Sequence, residues 1–445
     1  MPSFRHTVIF LVAYVLMTTF AFCNDSHESD SQVWKVGQNR WTVQEEYNYG
    51  KWIETNVAED FFIDHDIRVD CAKVPYALRW IYARIHHLPA AATIGGTRLI
   101  GHWSKDWARI PTNAAWDKDR RFRAALMAML ASTSTKTLPF DTYPIRIAAD
   151  SVTPGTVFLA VKDHSGVVCH IVMDGSTAHP VQTLEAGSPA RIQKLHRRNL
   201  ILPDPHGDGV SGLLRFKWPV KTGDGWRYLP VEEYPFYSEE QYSSDFTRGY
   251  GDYLEAIARR IDPKVYDPHE KAEKVIRTIA NRLNERIPIV LAGYKKCHEV
   301  PCPEGSKLWE IYSTPDRDEF IGVMVDHLER IIKVNNLDRD AIIDKMAKTE
   351  LEISPGQFIT LQYAFQNFQW LSSDPEDSIE ARWAVNKCGM IANRLKSARE
   401  SISFIQKKYS NTDPLFAERE IRTQQEIVDK MTREGQKSNC ATGPR

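Results

Sequence analysis

Between positions 70 and 87 the apolar residues Cys71, Val74, Ala77, Leu78, Ile81 and Ile85 recur at spacings of three and four, which predicts a helix with one buried face. Pro75 falls in its first turn, where a missing N–H is best tolerated. A leading helix is expected over 43–58, within a polar and aromatic stretch that holds Trp34, Trp41 and Trp52. The segment 88–140 is irregular, with Trp103, Trp107, Trp116 and one helix near 121–130. The period then changes. The turn Thr153-Pro154-Gly155-Thr156 opens a series of short apolar runs at 157–161, 167–173, 181–184 and 213–218, which read as strands. Residues 219–265 are rich in Tyr, Pro, Gly and acids and read as a connection. Beyond them helices are expected over 271–291, 317–334, 339–349, 357–371 and 378–409, with breaks at Pro355-Gly356 and Asp374-Pro375. Residues 435–445 read as a frayed polar tail. The fold class is α+β: a helix-plus-antiparallel-sheet domain over 24–235 with an insertion at 88–140, a linker over 236–265, and an all-α domain over 266–434.

The first 23 residues change the picture of where the chain resides. Arg5 and His6 precede an apolar run to Phe22, and NDSHESDS then turns polar, the layout of a secretory signal with small residues Ala21 and Cys23 at the cut. A membrane anchor and a lipid-modified Cys23 compete with that reading, but the run is shorter than the roughly 20 apolar residues a span needs. The mature protein is therefore expected to be secreted or periplasmic, with no stable membrane insertion. Lys plus Arg number 57 against 58 Asp plus Glu, a balance without the basic footprint of a general nucleic-acid binder.

In an oxidising compartment each of the seven cysteines needs an explanation. Cys71 follows Asp70 at the start of the predicted helix, where unpaired N–H groups stabilise a thiolate. A nucleophilic thiol also needs an imidazole as base and acid, and the imidazole needs an acceptor to orient it. His170 lies on a predicted strand. Glu185 lies on the next one, with Gln182 and His179 as rivals for the orienting role.

Asp70-Cys71 opening a helix, Pro154-Gly155-Thr156-Val157-Phe158 leading a strand, and His170-Ile171-Val172 on the next strand resemble NlpC-type cell-wall cysteine peptidases of the papain-like superfamily. The related cysteine, histidine-dependent amidohydrolases/peptidases place a Glu one strand after the His, which here falls on Glu185. Bacterial transglutaminase-like enzymes share the order. The resemblance covers about residues 60–215 and implies a papain-like fold in which Cys71 attacks an amide carbonyl, His170 protonates the leaving amine and Glu185 orients the imidazole. It implies a peptide or peptidoglycan substrate. A binding or scaffold protein on a degenerate hydrolase fold, and a transglutaminase-like or deamidating enzyme, are the alternatives. The helical end would then carry any protein partner.

Other residues admit blander readings. Cys71 and Cys169 could form a disulfide, although strand alternation turns Cys169 away from the face of His170. Asp70 and Trp103 are candidate substrate contacts, with Trp107 and Trp116 as core or groove aromatics. In His196-Arg197-Arg198, Arg197 is the candidate clamp for a substrate carboxylate, against a solvated charge cluster. No metal site or cofactor is expected: Asp64, His65 and Asp66 suit loop roles, and the run from Asp204 to Gly209 departs from a calcium loop at His206 and Arg215. Cys297 and Cys302 suit a small disulfide loop, with a zinc site through His298 as the alternative, and Cys388 and Cys440 can pair with each other or exchange partners.

Overall fold

The computed structural model describes residues 31–160, 164–173, 178–202, 205, 209–247, 253–409, 414–438 and 440. The leader over 1–23 and most of the 204–209 turn lie outside these residues. The fold is α+β. Six antiparallel strands form the central sheet: β1 (Thr142–Pro144), β2 (Val157–Leu159), β3 (Ser165–Ile171), β4 (Val181–Glu185), β5 (His196–Asn199) and β6 (Gly212–Phe216), in the order β1-β6-β2-β3-β4-β5. Each of the four expected strands is present, with ends that differ from the expected ones by no more than two residues. β1 and β5 were not expected, because one is three residues long and the other is the polar sequence HRRN at the sheet border.

Helices cover both faces of the sheet. On one side lie α1 (Val43–Asn56) and α2 (Lys73–Ile85), whose Tyr49, Ile53, Val74, Leu78 and Ile81 pack with Val157, Val167, Cys169, Leu184 and Phe216. A buried ion pair joins the helices: Arg79 donates to both carboxylate oxygens of Glu46 at 3.0 and 2.6 Å, and Trp218 donates to the same carboxylate. At Gly50, α1 touches the turn before β2 so closely that a Cβ there would lie 2.3 Å from the Pro154 carbonyl oxygen. Within 88–140 the structure adds a hairpin, Ala91–Ile94 with Arg98–Gly101, and α3 (Arg120–Ser132).

The other face of the sheet carries Phe158, Val168, Val181 and Leu213. These join one apolar core with α4 (Tyr253–Ile261), α5 (Pro268–Cys297) and α6 (Pro315–Val334). The expected linker thus holds a helix whose Tyr253, Leu254, Ala256, Ile257 and Ile261 are buried in that shared core. The helical end is not all α: residues 357–360 form a strand paired with Glu350–Ser354, since Pro355-Gly356 makes a hairpin turn instead of a helix start. The expected helix over 378–409 is interrupted at Ala384, which has φ 58°, and resumes as α7 (Lys387–Tyr409). α8 (Pro414–Lys437) then runs into the expected polar tail, and Cys440 is bridged to Cys388. Cys297 pairs with Cys302, so neither cysteine remains to hold zinc. Among the described residues no helix is long and apolar enough to cross a membrane.

Candidate active site

Three local features set Cys71 in place. Asp70 opens the helix: its carbonyl accepts from the Lys73 and Val74 N–H groups, its carboxylate accepts from the Lys73 N–H at 3.2 Å, and it also pairs with the Lys73 ammonium. Just before it, Val69 exchanges backbone hydrogen bonds with Arg191 at 3.0 and 3.1 Å. The Gln193 amide bridges the carbonyls of Val69 and Gly187, both at 2.7 Å. The chain leading into Cys71 is therefore laced to the loop that leaves β4 immediately after Glu185.

The imidazole brought to this thiol belongs to His164, at the head of β3, and not to His170. His164 is hydrogen-bonded to Cys71, and its Nε2 lies 3.2 Å from Glu185 Oε2. Its ring packs between Phe158 and Phe320, with centroids 5.9 and 5.3 Å away. Burial would push its pKa down, but the Cys71 sulfur and the Glu185 carboxylate outweigh this and lift it to about 9. Glu185 is itself buried. Burial opposes its ionisation, yet the bond to His164 and the charges of Arg198 and Arg282 hold it well below the usual carboxylate range. Its Oε1 accepts from Thr183 at 2.6 Å and its Oε2 accepts from Arg198 at 3.1 Å.

His170 sits at the far end of the same strand. Antiparallel register sets Glu185 opposite Gly166 but sets His170 opposite Gln182. A β-bulge between Val168 and His170 also breaks strict alternation, so that Cys169 is buried under α2 while His170 pairs with Glu54 of α1. The register itself is a signal the sequence offers. If Glu185 closes β4 and a hairpin joins β3 to β4, the histidine facing it must stand at the start of β3.

The remaining expected residues divide as follows. Cys71 lies outside any disulfide, partly exposed in the cleft; Cys169 is fully buried, its pKa raised to about 11 by burial, with the Arg197 guanidinium 3.4 Å from its sulfur. Arg197 therefore points away from the cleft, and Arg198 is the arginine that lines it. Asp70 borders the cleft, but its carboxylate is engaged by the N–H and the ammonium of Lys73. Trp103 stacks on Trp226 with centroids 5.1 Å apart, outside the cleft, while Trp107 and Trp116 pack against the α2-side core. The rival His179 is buried elsewhere, facing the Leu254 carbonyl.

The cleft has a volume of about 440 Å³. Its floor is Cys71, His164 and the loop after Glu185, and its roof comes from the helical end: Arg282 of α5, Trp309 of the short helix Lys307–Tyr312, and Arg317 and Phe320 of α6. None of these roof residues was singled out from sequence, since no local pattern near them signals chemistry. Compared with protein-family models, with curated proteins and with solved structures, the chain matches none. Among the described residues no cluster of His, Cys, Asp and Glu could hold a metal ion.

Proposed function

We propose that the protein is a secreted cysteine hydrolase that cleaves amide bonds through Cys71, His164 and Glu185. The observation that carries this reading is the chain of contacts from an unbridged thiol at a helix start, through a buried imidazole, to an ionised carboxylate at the floor of a cleft. With Nε2 turned to Glu185, the other ring nitrogen serves the sulfur, and an imidazole with a pKa near 9 carries its proton across the neutral range. That state is suited to the first step. The sulfur bonds to the amide carbonyl carbon, the backbone N–H groups that open α2 face the developing oxyanion, and His164 gives its proton to the leaving nitrogen as the C–N bond breaks. Water then attacks the thioester, His164 takes up its proton, and the C–S bond breaks to release the acid and restore the thiolate–imidazolium pair.

The two disulfides suit an oxidising compartment, in keeping with a cleaved leader over 1–23. Peptidoglycan peptides are the first substrates to test, by the family resemblance. The purified protein and its Cys71→Ala variant are incubated with peptidoglycan fragments, with and without a primary-amine donor, and products are read by mass spectrometry. Free carboxylate products from the parent protein alone support hydrolysis, amine adducts indicate transfer, and equal turnover by the Cys71→Ala variant refutes the reading.

A further inference from the structure

The carboxylate oxygen that faces His164 is shared. Glu185 Oε2 lies 3.2 Å from His164 Nε2 and accepts from Arg198 at 3.1 Å, so one oxygen serves two cations. Strand register puts them there. Arg198 stands opposite Thr183 in the β4–β5 ladder, and Glu185, two residues further along β4, lies on the same face. Thr183 donates to the other oxygen, Oε1, at 2.6 Å and fixes the carboxylate in that orientation. Arg198 is shared in its turn. Its second amino group donates to Glu285 of α5 at 2.7 Å, and that carboxylate also pairs with Arg282 at 3.6 Å. Alternating charges thus run from His164 through Glu185 and Arg198 to a helix of the helical end.

Two polar groups touch the imidazole, Cys71 at the start of α2 and Glu185 on β4. Phe158 and Phe320, which pack on the ring, carry no charge. Farther along the cleft wall stand His196 of β5, Arg282 of α5 and Arg317 of α6. Asp70 is paired with Lys73, and Glu310 is exposed at the rim. Two cations on one buried oxygen compete, because each draws on negative charge that would otherwise hold the other. A general acid works best when its pKa is close to the operating pH. An imidazolium facing an undivided buried carboxylate would hold its proton too tightly to pass it on near neutral pH.

We propose that Arg198 is a positioning residue that competes with His164 for Glu185, which loosens the proton that His164 gives to the leaving nitrogen, and that Glu285 tempers this competition by drawing on Arg198. The helical end thereby acts on proton transfer at a site built on the sheet. The competition rests on the hydrolase reading, in which His164 serves Cys71. A residue that only held Glu185 in place would act in the opposite sense, since its loss would free the carboxylate from the ring and lower the proton affinity of His164.

The test reads that proton affinity through the neighbouring sulfur. Second-order rates of Cys71 alkylation by iodoacetamide are measured on the full-length protein from about pH 5 to about pH 10.5, by mass spectrometry of the Cys71 peptide. The step in the profile that His164→Ala abolishes belongs to the imidazole. From a parent position near pH 9, it is expected to move up by about one pH unit in Arg198→Gln and down by about half a unit in Glu285→Gln. Arg198→Lys, which keeps the charge, should return it towards the parent position. The position of a step does not depend on the folded fraction, and Glu285→Gln, at a partly exposed side chain, decides if Arg198→Gln does not fold. A step that stays or moves down in folded Arg198→Gln, or stays or moves up in Glu285→Gln, overturns the competition and leaves the hydrolase standing. Resistance of Cys71 to alkylation in the parent, or a parent profile that His164→Ala does not alter, removes the hydrolase reading and the competition with it.

Discussion

Replacing His164 by alanine, with His170→Ala as its companion, puts the geometry of the site to the most direct test. His164 contacts both the Cys71 sulfur and Glu185, whereas His170 is partly exposed and meets Glu54 at the other end of β3. Six residues of strand at about 3.3 Å each place the two histidines roughly 20 Å apart. Loss of a positioned acid–base group costs about 10²–10⁴ in rate, so His164→Ala is expected to slow both hydrolysis and Cys71 alkylation at pH 7. His170→Ala, which removes an exposed ion pair worth at most about 1 kcal/mol, should leave both rates within about twofold. Stability gives an independent reading. A folded-state pKa near 9 against an unfolded value of 6.5 is worth about 3 kcal/mol. Because the folded value is raised, that contribution is complete below about pH 6.5 and is lost as the pH climbs through 9. Urea denaturation of the parent and His164→Ala should therefore show a gap that shrinks between pH 6 and pH 10. A slow His170→Ala beside a normal His164→Ala, or a stability gap that widens with pH, would refute the assignment.

Further outcomes follow from other parts of the structure. Glu185→Gln leaves Arg198 and His164 without their shared anion, and it should cost about 3–5 kcal/mol in urea denaturation while moving the basic limb of the activity profile below pH 9. Brief iodoacetamide treatment of the native protein at pH 7 should label Cys71 and spare Cys169, which is fully buried with a pKa near 11; mass spectrometry of the two peptides decides this. The Cys388–Cys440 bridge spans 52 residues against 5 for Cys297–Cys302. By loop entropy its removal by paired Ser substitutions should cost about 4 kcal/mol against about 2, which thermal unfolding can rank. Gly50→Ala drives a Cβ into the Pro154 carbonyl and should destabilise by about 1–3 kcal/mol, as overpacking does.

Legibility in the sequence followed the strength of the periodic signal. α2 and α6 lie close to where their apolar spacing places them, and the disulfide pairings are among those the cysteine positions allowed. The misread elements are those whose identity depends on distant neighbours. The sequence HRRN at 196–199 is polar yet forms the sheet border, and Phe358 and Ile359 suit a helix until the turn at Pro355-Gly356 folds them back on Glu352 and Leu351. The same rule divides the site. Cys71 was legible because a helix start is local, and Glu185 because it follows a clear strand. The histidine was not, since it depends on hairpin register and on a bulge that one strand read alone does not reveal. Arg282, Trp309 and Phe320 reach the cleft through tertiary packing alone.

The floor and the roof of the cleft come from segments far apart in the chain, and the order of their synthesis bears on how the protein matures. During synthesis Cys71 emerges from the ribosome more than two hundred residues ahead of Phe320, so the proposed nucleophile exists before anything encloses it. The Phe320 ring that packs on His164 arrives only when α6 docks, so the imidazole gains its dry setting late. A chain severed near residue 265 would carry a sulfur and a ring with no chamber around them. Competence to choose a substrate would thus be acquired after the reactive atoms themselves, as a property of the finished polypeptide.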